Sequence, residues 1–237
     1  MQPNEIVSRE DWIAARRKHL AEEKEFTRLR DQLSEHRRRL PWVRVDEDYV
    51  FEGASGKTSL SELFAGRSQL IIYHFMFGPS WDEGCPSCSL ISDHFDGAII
   101  HLNQRDVTMI VVSRAPVDKL EDYRRRMGWT FKWLSSLGSG FNHDYHVSFA
   151  DKGSEDEQVY YNYKMMSYPS DEAHGISVFY KDEQGNIYHT YSSYGRGLDI
   201  LIGAYNILDL APKGRDEADL PFTMSWVRRH DQYGDQA

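Results

Sequence analysis

The stretch Leu70–Ser89 has the sequence LIIYHFMFGPSWDEGCPSCS. Its first part, residues 70–77, is an apolar run of strand length, which is typical of a central strand covered on both faces. A loop, residues 78–84, leads from this run to Cys85. The following segment carries apolar side chains at helical spacing over residues 91–102. We therefore predict a strand, a loop and a helix, with Cys85 at or beside the start of the helix.

Cys85 and Cys88 are the two cysteines of the chain. So close a pair cannot connect distant loops, and in a reducing compartment it is more often catalytic or metal-binding than structural. Free backbone N–H groups and the helix dipole at a helix N-terminus lower the pKa of a thiol from about 8.5 to roughly 3.5–7.5. Pro86 fits the first helical turn. We predict a redox dithiol in which Cys85 is the nucleophile and Cys88, one turn deeper, resolves the mixed disulfide.

Further strands and helices are predicted on both sides of this stretch. Periodicity and turn residues place, in order, a hairpin over 49–60, a strand over 107–112, a helix from Pro116 to Gly128, a strand with Trp129, Phe131 and Trp133, a hairpin over 176–191 and a helix over 198–208. This order predicts an α/β fold, with a central mixed sheet flanked by helices.

The chain divides into an N-terminal helical arm, a domain and a tail. These are residues 1–41, residues 42–212 with an irregular insertion around 135–174, and a polar segment, residues 213–237. The arm is helical because residues 8–40 are rich in Glu, Arg, Leu and Ala, Ser8 can cap the helix, and Pro41 ends it. Its apolar stripe is interrupted, so the segment could form either one helix or two. We expect the arm to pack on the domain or to contribute to a homodimer.

The order of strand, Cys-x-x-Cys, helix and terminal hairpin resembles the thioredoxin-like superfamily. The runs 73–78 and 84–89, the second being Gly-Cys-Pro-Ser-Cys-Ser, are similar to a bacterial domain-of-unknown-function family described as predicted dithiol-disulfide oxidoreductases. Segments Val112–Pro116, Met127–Trp129, Phe179–Asp182, His189–Tyr191 and Leu208–Leu210 also look like that family. The resemblance covers roughly residues 8–230, and it implies a thioredoxin-like fold with thiol–disulfide chemistry.

Three positions differ from other branches of the superfamily. Trp81 lies four residues before Cys85, whereas in thioredoxins a Trp directly precedes the first Cys. Asp82 occupies the position at which peroxiredoxins have Thr or Ser, which disfavours a peroxidase of the usual kind. The strand of the final hairpin follows His174-Gly175 without the common cis-proline. The usual backbone docking of a peptide substrate is therefore not expected.

Five further residues are expected to line the dithiol site: Trp81, Pro86, Ser87, Arg114 and His174. Arg114 follows a strand at the end where the cysteines should lie, so it could favour the Cys85 thiolate or be an exposed loop arginine. Trp81 could cover the site or pack in the core.

A metal site is the main alternative to a redox dithiol. Structural zinc needs four ligands, and the two cysteines supply only half of them. His143 and His146 could complete the set, and His74 or His94 could contribute. We expect His143 and His146 to be surface histidines and His94 to be a core histidine, and we expect no bound metal. A second alternative is a non-catalytic interaction module in which the arm is the functional part.

The composition excludes several other classes of protein. A net charge of −9 disfavours a nucleic-acid partner, which needs a clustered positive field. No apolar run approaches the roughly 18–20 residues that span a bilayer, and the N-terminal residues contain no secretory pattern. We expect a cytoplasmic oxidoreductase that acts on a thiol or disulfide substrate. It needs no organic cofactor, because the dithiol itself carries two electrons.

Overall fold

The computed structural model describes residues 4–149 and 157–234, which belong to two compact units, Met1–Pro41 and Trp42–Ala237. The first unit is one long helix, α1 (Arg9–Arg38), where the interrupted stripe had left two helices open. Ser8 caps this helix as expected, because its Oγ accepts the Asp11 backbone N–H at 3.1 Å. No residue of α1 is buried, and its first turn is acidic and its last turn basic, which complements the helix dipole.

The second unit alternates strands and helices. Its strands are β1 (Val43–Arg44), β2 (Val50–Gly53), β3 (Gly56–Ser59), β4 (Gln69–His74), β5 (Val107–Ser113), β6 (Trp133–Ser135), β7 (Gln158–Tyr161), β8 (Lys164–Ser167), β9 (Gly175–Lys181) and β10 (Ile187–Tyr194). Its α-helices are α2 (Leu60–Leu63), α3 (Pro86–Ser92), α4 (Asp96–Leu102), α5 (Val117–Arg126), α6 (Phe141–Asp144) and α7 (Gly203–Leu208). Short 3₁₀ helices cover Asn103–Arg105, Gly195–Leu201 and His230–Gln232.

Eight strands form one mixed sheet in the order β1-β10-β9-β4-β5-β6-β2-β3. Strands β4, β5 and β6 are parallel, and β9 pairs antiparallel with β4 and β10. Strand β4 leads through a loop into α3, which begins at Pro86. This arrangement of parallel strands, a terminal antiparallel hairpin and a dithiol at the helix start confirms the thioredoxin-like α/β fold class.

The central strand β4 is covered on both faces, as its apolar sequence predicts. Leu70 and Ile72 lie in one hydrophobic cluster, and Tyr73 lies in the other, together with Cys88. Successive strand residues point to opposite faces, so each cluster receives alternate side chains. The strand ends at His74 rather than at Phe77.

The aromatic alternation of Trp129, Phe131 and Trp133 predicted a longer strand than the structure contains. All three rings are buried, but β6 begins only at Trp133. Trp133 pairs with Val111, and this is the first residue pair between β5 and β6. The two upstream rings instead stack on each other with centroids 5.2 Å apart. The predicted strand is therefore present only from Trp133 onward, and the two upstream residues are buried without being part of it.

Two predicted helices are interrupted in the structure. The helix after Cys85 divides into α3 and α4, because the backbone N–H groups of His94 and Phe95 bond three residues back instead of four. The helix predicted over 198–208 is a 3₁₀ segment up to Leu201, followed by α7. The apolar periodicity of both segments survives the interruptions, since Phe95 and Tyr205 remain buried.

The segment expected to be irregular, around 135–174, contains α6 and the two-stranded sheet β7-β8; residues 150–156 lie outside the described part of the chain. The turn between β7 and β8 is Asn162-Tyr163, and both residues have positive φ, 51° and 63°. Two-residue hairpin turns need this conformation, which Asn-Gly or Gly-Gly usually provides. Here the Tyr163 hydroxyl donates to the Ser192 carbonyl at 2.9 Å, a tertiary contact that a local pattern does not contain.

The C-terminal segment from Lys213 belongs to the second unit and packs against the core of that unit. One carboxylate oxygen of Glu217 accepts hydrogen bonds from the Tyr205 hydroxyl and the Trp226 indole, both at 2.6 Å, and from the Met224 backbone N–H at 3.1 Å. The rings of Trp226 and Tyr205 belong to the same core region as Cys88. This segment is thus polar in sequence, but a few of its apolar side chains pack on one end of the core and cover it.

Among the described residues, no helix combines the length and apolar character that a membrane span requires.

Candidate functional site: a dithiol beside an apolar cavity

The loop before α3 holds Cys85 by backbone contacts. The Cys85 N–H donates to the Met76 carbonyl at 3.1 Å. Gly84 is packed so closely that a Cβ at this position would lie 2.6 Å from the ring of Phe75. Pro86 occupies the first turn of α3, as predicted. The cysteine is therefore fixed between the end of β4 and the first free N–H groups of a helix.

Cys85 is set up as a thiolate. The hydrogen bond from the Cys88 thiol, aided by the backbone N–H groups of Cys88 and Ser87 and by the charge of Arg229, lowers the pKa of Cys85 to about 7. Burial opposes this shift and is outweighed. Cys85 is partly exposed, and neither cysteine forms a disulfide. A sulphur that is both accessible and ionised near neutral pH is a nucleophile.

Cys88 has the opposite character. It is 1% exposed, and burial, followed by its hydrogen bond to Cys85, raises its pKa well above the ordinary value. The Tyr73 hydroxyl is also fully buried. Within the described part of the chain it has no hydrogen-bond partner of conventional geometry, and its interaction with Cys88 lowers the pKa of that thiol. The thiol one turn behind the nucleophile is thus protonated, and a phenol lies beside it.

The C-terminal segment supplies a cation that sequence reasoning missed. Arg229 donates to the Gly84 carbonyl at 2.7 Å and to the Tyr123 hydroxyl at 2.8 Å. Tyr123 is 2.9 Å from the Ser89 Oγ, which donates to the Cys85 carbonyl at 2.9 Å. This network ties the tail to the first turn of α3. The local sequence does not distinguish Arg229 from other arginines of a polar segment. Its position close to Trp226 is the one feature that could have suggested a role near the core.

A cavity of about 510 Å³ opens beside the dithiol. Its lining consists of Met76, Cys85, Ser87, Cys88, Ile91, Tyr168, Pro169, His174, Gly195, Arg196, Leu198, Asp199, Ile202, Tyr205, Phe222, Thr223 and Met224. Most of these residues are apolar. The cavity lies within the second unit and has the size that small-molecule sites have.

The structure brings only part of the expected site together. Cys85, Cys88, Ser87 and His174 line the cavity. The His174 pKa is lowered, chiefly by burial, so the imidazole is neutral at pH 7. His174 occupies the position before β9 that carries the common cis-proline elsewhere, and no cis peptide bond occurs among the described residues.

Trp81 and Arg114 do not line the cavity. The Trp81 ring packs on the core near Gly78, which favours the packing role over the covering role. Arg114 pairs with buried Glu172 at 3.3 Å. Arg114 is therefore paired with another side chain, and among the described residues the charge of Arg229 contributes to the lowered pKa of Cys85.

The histidines considered as metal ligands lie apart from the dithiol. His94 bonds to the Leu90 carbonyl and accepts the Ala204 N–H at 3.0 Å, as expected of a core histidine. His143 contacts the Ser148 carbonyl, and the His146 ring packs on Tyr160. His74 is buried beside Ser177. Within residues 4–149 and 157–234, no three or more His, Cys, Asp or Glu side chains are grouped as a metal site would need.

Comparison with known families places the chain. The family model described as "Bacterial protein of unknown function (DUF899)" matches residues 1–233. The chain belongs to this family. No curated protein matches it.

The chain is also similar, at low identity, to several solved structures. Peroxidoxin BcpB from Mycobacterium tuberculosis is 14% identical with a TM-score of 0.45, over 69% of this chain and 94% of that one. A putative thiol:disulfide interchange protein DsbE from Chlorobium tepidum is 13% identical with a TM-score of 0.41, over 70% and 97%. A putative thiol-disulfide oxidoreductase from Bacteroides vulgatus is 17% identical with a TM-score of 0.38, over 67% and 92%.

Proposed function

We propose that this DUF899 protein is a thiol–disulfide oxidoreductase of a reducing, cytoplasmic compartment, with Cys85 as nucleophile and Cys88 as resolving thiol. The observation that carries the proposal is the opposite perturbation of two thiols one helical turn apart. The pKa of accessible Cys85 is lowered to about 7, and the pKa of buried Cys88 is raised. A stepwise exchange needs this division, because one sulphur must attack first and the other must wait.

The reaction transfers two electrons from the dithiol to a substrate disulfide, R–S–S–R′. The Cys85 thiolate attacks one sulphur, the substrate S–S bond breaks, and R′–S⁻ leaves and takes up a proton. Cys88 then gives its proton to solvent and attacks the Cys85 sulphur, which expels R–S⁻ and forms the Cys85–Cys88 disulfide. A dithiol reductant reverses the exchange and restores the enzyme. No organic cofactor takes part.

Trapping of mixed disulfides tests the assignment of roles. Cys88→Ser should accumulate a stable mixed disulfide at Cys85, because the second step is blocked. Cys85→Ser should accumulate little, because Cys88 is buried and protonated. Mass spectrometry of protein quenched with acid would identify both. Trapping confined to the Cys85→Ser variant would reverse the roles, and no trapping in either variant would remove the mechanism.

Metal binding and a non-catalytic role are separated by two controls. Freshly reduced protein should contain no stoichiometric zinc or copper by elemental analysis. Near-stoichiometric metal that survives gel filtration would favour the metal-binding alternative. In cells, a Cys85→Ser, Cys88→Ser double variant that complements a deletion as well as the wild type would favour the interaction module.

A further inference from the structure

The cavity beside the dithiol has a shape suited to a small molecule. Its volume of about 510 Å³ lies within the roughly 300–1,000 Å³ of small-molecule sites. Cys85 and Cys88 form part of its wall, so a ligand inside it would be in contact with the reactive sulphur. A folded protein substrate would instead need an open surface around the nucleophile. The position of the sulphur thus favours a substrate that enters the cavity.

The walls of the cavity are predominantly apolar. Leu198, Ile202 and Tyr205 form one side, and Met76 and Ile91 lie near the cysteines. The C-terminal segment closes another side with Phe222 and Met224, and Glu217 holds this segment through the Met224 backbone N–H. Apolar walls favour an apolar ligand, since each methylene group buried from water strengthens binding about fourfold.

The polar side chains that line the cavity are either paired with other side chains or uncharged. Arg196 and Asp199 are the charged residues of the lining, and they pair with each other at 3.2 Å. Asp199 also pairs with Arg215 at 3.0 Å. The lowered pKa of His174 keeps its ring neutral. Apart from the Cys85 sulphur that reacts, the charged side chains of the described lining are therefore paired with each other and offer no free partner to a charged substituent of a ligand.

We propose that the substrate is a low-molecular-weight disulfide whose substituents are apolar and uncharged, and that these substituents occupy the cavity while Cys85 attacks the disulfide. This inference rests on the proposed function and names its substrate class. The reaction is the exchange already written, with R and R′ as alkyl or aryl groups. Two equivalents of the apolar thiol leave for each Cys85–Cys88 disulfide formed, and a dithiol reductant supplies the electrons for the next cycle.

A homologous series of disulfides tests the inference. The reduced full-length protein would be reacted with diethyl, dipropyl and dibutyl disulfide, with bis(2-hydroxyethyl) disulfide and with glutathione disulfide. Formation of the Cys85–Cys88 disulfide gives the second-order rate constant. Each value is divided by that of a small free thiol with the same disulfide, which removes differences in leaving-group chemistry. We expect the normalised rate to rise about fourfold for each methylene buried, and to be lowest for glutathione disulfide.

A matched pair of variants locates the effect in the cavity. Phe222 lines the cavity and Ile200 does not, although both are similarly exposed, at 69% and 62%. Phe222→Ser should reduce the dependence of the normalised rate on chain length, so that the value for dibutyl disulfide falls towards the value for diethyl disulfide. Ile200→Ser should leave this dependence unchanged. Since both side chains are mostly exposed, neither substitution should unfold the protein.

The possible failures are distinguishable. If none of these disulfides oxidises the dithiol faster than it oxidises a free thiol, the low-molecular-weight substrate class is wrong; the proposed function is wrong as well only if Cys88→Ser also traps no mixed disulfide. If all disulfides react quickly but chain length has no effect, or if glutathione disulfide reacts fastest, exchange stands and the apolar substrate class is wrong. If Ile200→Ser reduces the dependence of the normalised rate on chain length as much as Phe222→Ser does, the ligand does not occupy this cavity.

Discussion

Cys85 and Cys88 are identical side chains one helical turn apart, and their surroundings give them different chemistry. The largest factor for Cys85 is the hydrogen bond from Cys88, and the largest for Cys88 is burial. The two effects depend on each other, because the donor that stabilises one thiolate must itself stay protonated. The pair thus functions as a unit rather than as two independent thiols.

The first prediction concerns the alkylation of the two thiols. At pH 6 a thiol of pKa about 7 is roughly 10% ionised, and one of pKa about 9 roughly 0.1%. The lower nucleophilicity of a less basic thiolate offsets about half of this on a logarithmic scale, so Cys85 should react about tenfold faster than an ordinary thiol. Peptide mapping after iodoacetamide treatment measures both sites. Equal rates at Cys85 and Cys88 would contradict the assignment.

The control for this prediction is a pair of substitutions at one site. Cys88→Ala removes the hydrogen-bond donor and should raise the pH midpoint of Cys85 alkylation. Cys88→Ser keeps a donor at nearly the same place and should raise it less. If both variants retain the wild-type midpoint near pH 7, the donor does not control the pKa of Cys85.

The second prediction concerns Glu172, which is 1% exposed and bonded to Ser148 at 2.5 Å and to Arg114 at 3.3 Å. Burial, with a smaller contribution from Asp171, raises its pKa to about 7, against the lowering effect of Ser148 and Arg114. A carboxyl whose pKa is raised on folding favours the folded state at low pH. That stability, up to about 3 kcal/mol, is lost between about pH 4.5 and 7 as the group ionises.

Glu172→Gln should therefore gain stability relative to wild type as the pH rises. Urea unfolding at pH 5 and pH 8 gives the free energy of unfolding of both proteins. The difference between variant and wild type should shift in favour of the variant by about 2–3 kcal/mol over this range. Glu183→Gln, in an exposed turn, is the control and should show no such shift. A difference that is the same at both pH values would mean that Glu172 is ionised throughout.

At the scale of elements, the C-terminal segment is the part whose role changes most once the fold is known. Its sequence is polar, and its aromatic residues are Phe222, Trp226 and Tyr233. In the fold, the Trp226 ring, the Glu217 carboxylate and Arg229 attach the segment to the core and to the loop before α3. The same segment supplies one wall of the cavity.

The third prediction tests this attachment. Glu217→Ala removes an acceptor that receives three hydrogen bonds, and it should cost about 2–4 kcal/mol in the free energy of unfolding. It should also raise the pKa of Cys85 slightly, because Arg229 is held less firmly. Asp219→Ala, an exposed change in the same segment, should alter neither quantity. Equal stability of the two variants would show that Glu217 does not anchor the segment.

At the scale of the whole molecule, the candidate site is built from residues 73–229, and α1 contributes none of its named residues. The described part of α1 exposes large apolar side chains, including Trp12, Phe26, Leu29 and Leu33. Exposed apolar residues on one helix are a common feature of association surfaces. The arm and the dithiol are therefore expected to have separable roles.

The fourth prediction follows from this separation. Deletion of residues 1–41 should lower the solution mass from that of a homodimer to that of a monomer, as measured by light scattering. The same deletion should leave the pH midpoint of Cys85 alkylation unchanged. A monomeric mass before and after deletion would rule out the dimer, and loss of the alkylation profile would show that the arm supports the site.

Sequence alone determined the parts of this protein that depend on short-range patterns. The apolar run at 70–77, Pro86 in the first helical turn and the spacing of the two cysteines predicted the strand, the helix start and the pair of thiols. Ser8 as a helix cap and the hairpins around residues 53–57 and 182–185 were also evident. Each of these features is encoded within a few consecutive residues, where hydrogen bonding and periodicity act directly.

Tertiary structure decided what surrounds the dithiol. The contact of Arg229 with Gly84, the pairing of Arg114 with Glu172 and the turn at Asn162-Tyr163 join residues that are distant in sequence or conformations that tertiary contacts hold. The pKa of a thiol depends on burial and on charges in space, and a cavity exists only where separate segments fail to meet. Neither quantity has a local signature, because both are properties of the packed chain rather than of any segment within it.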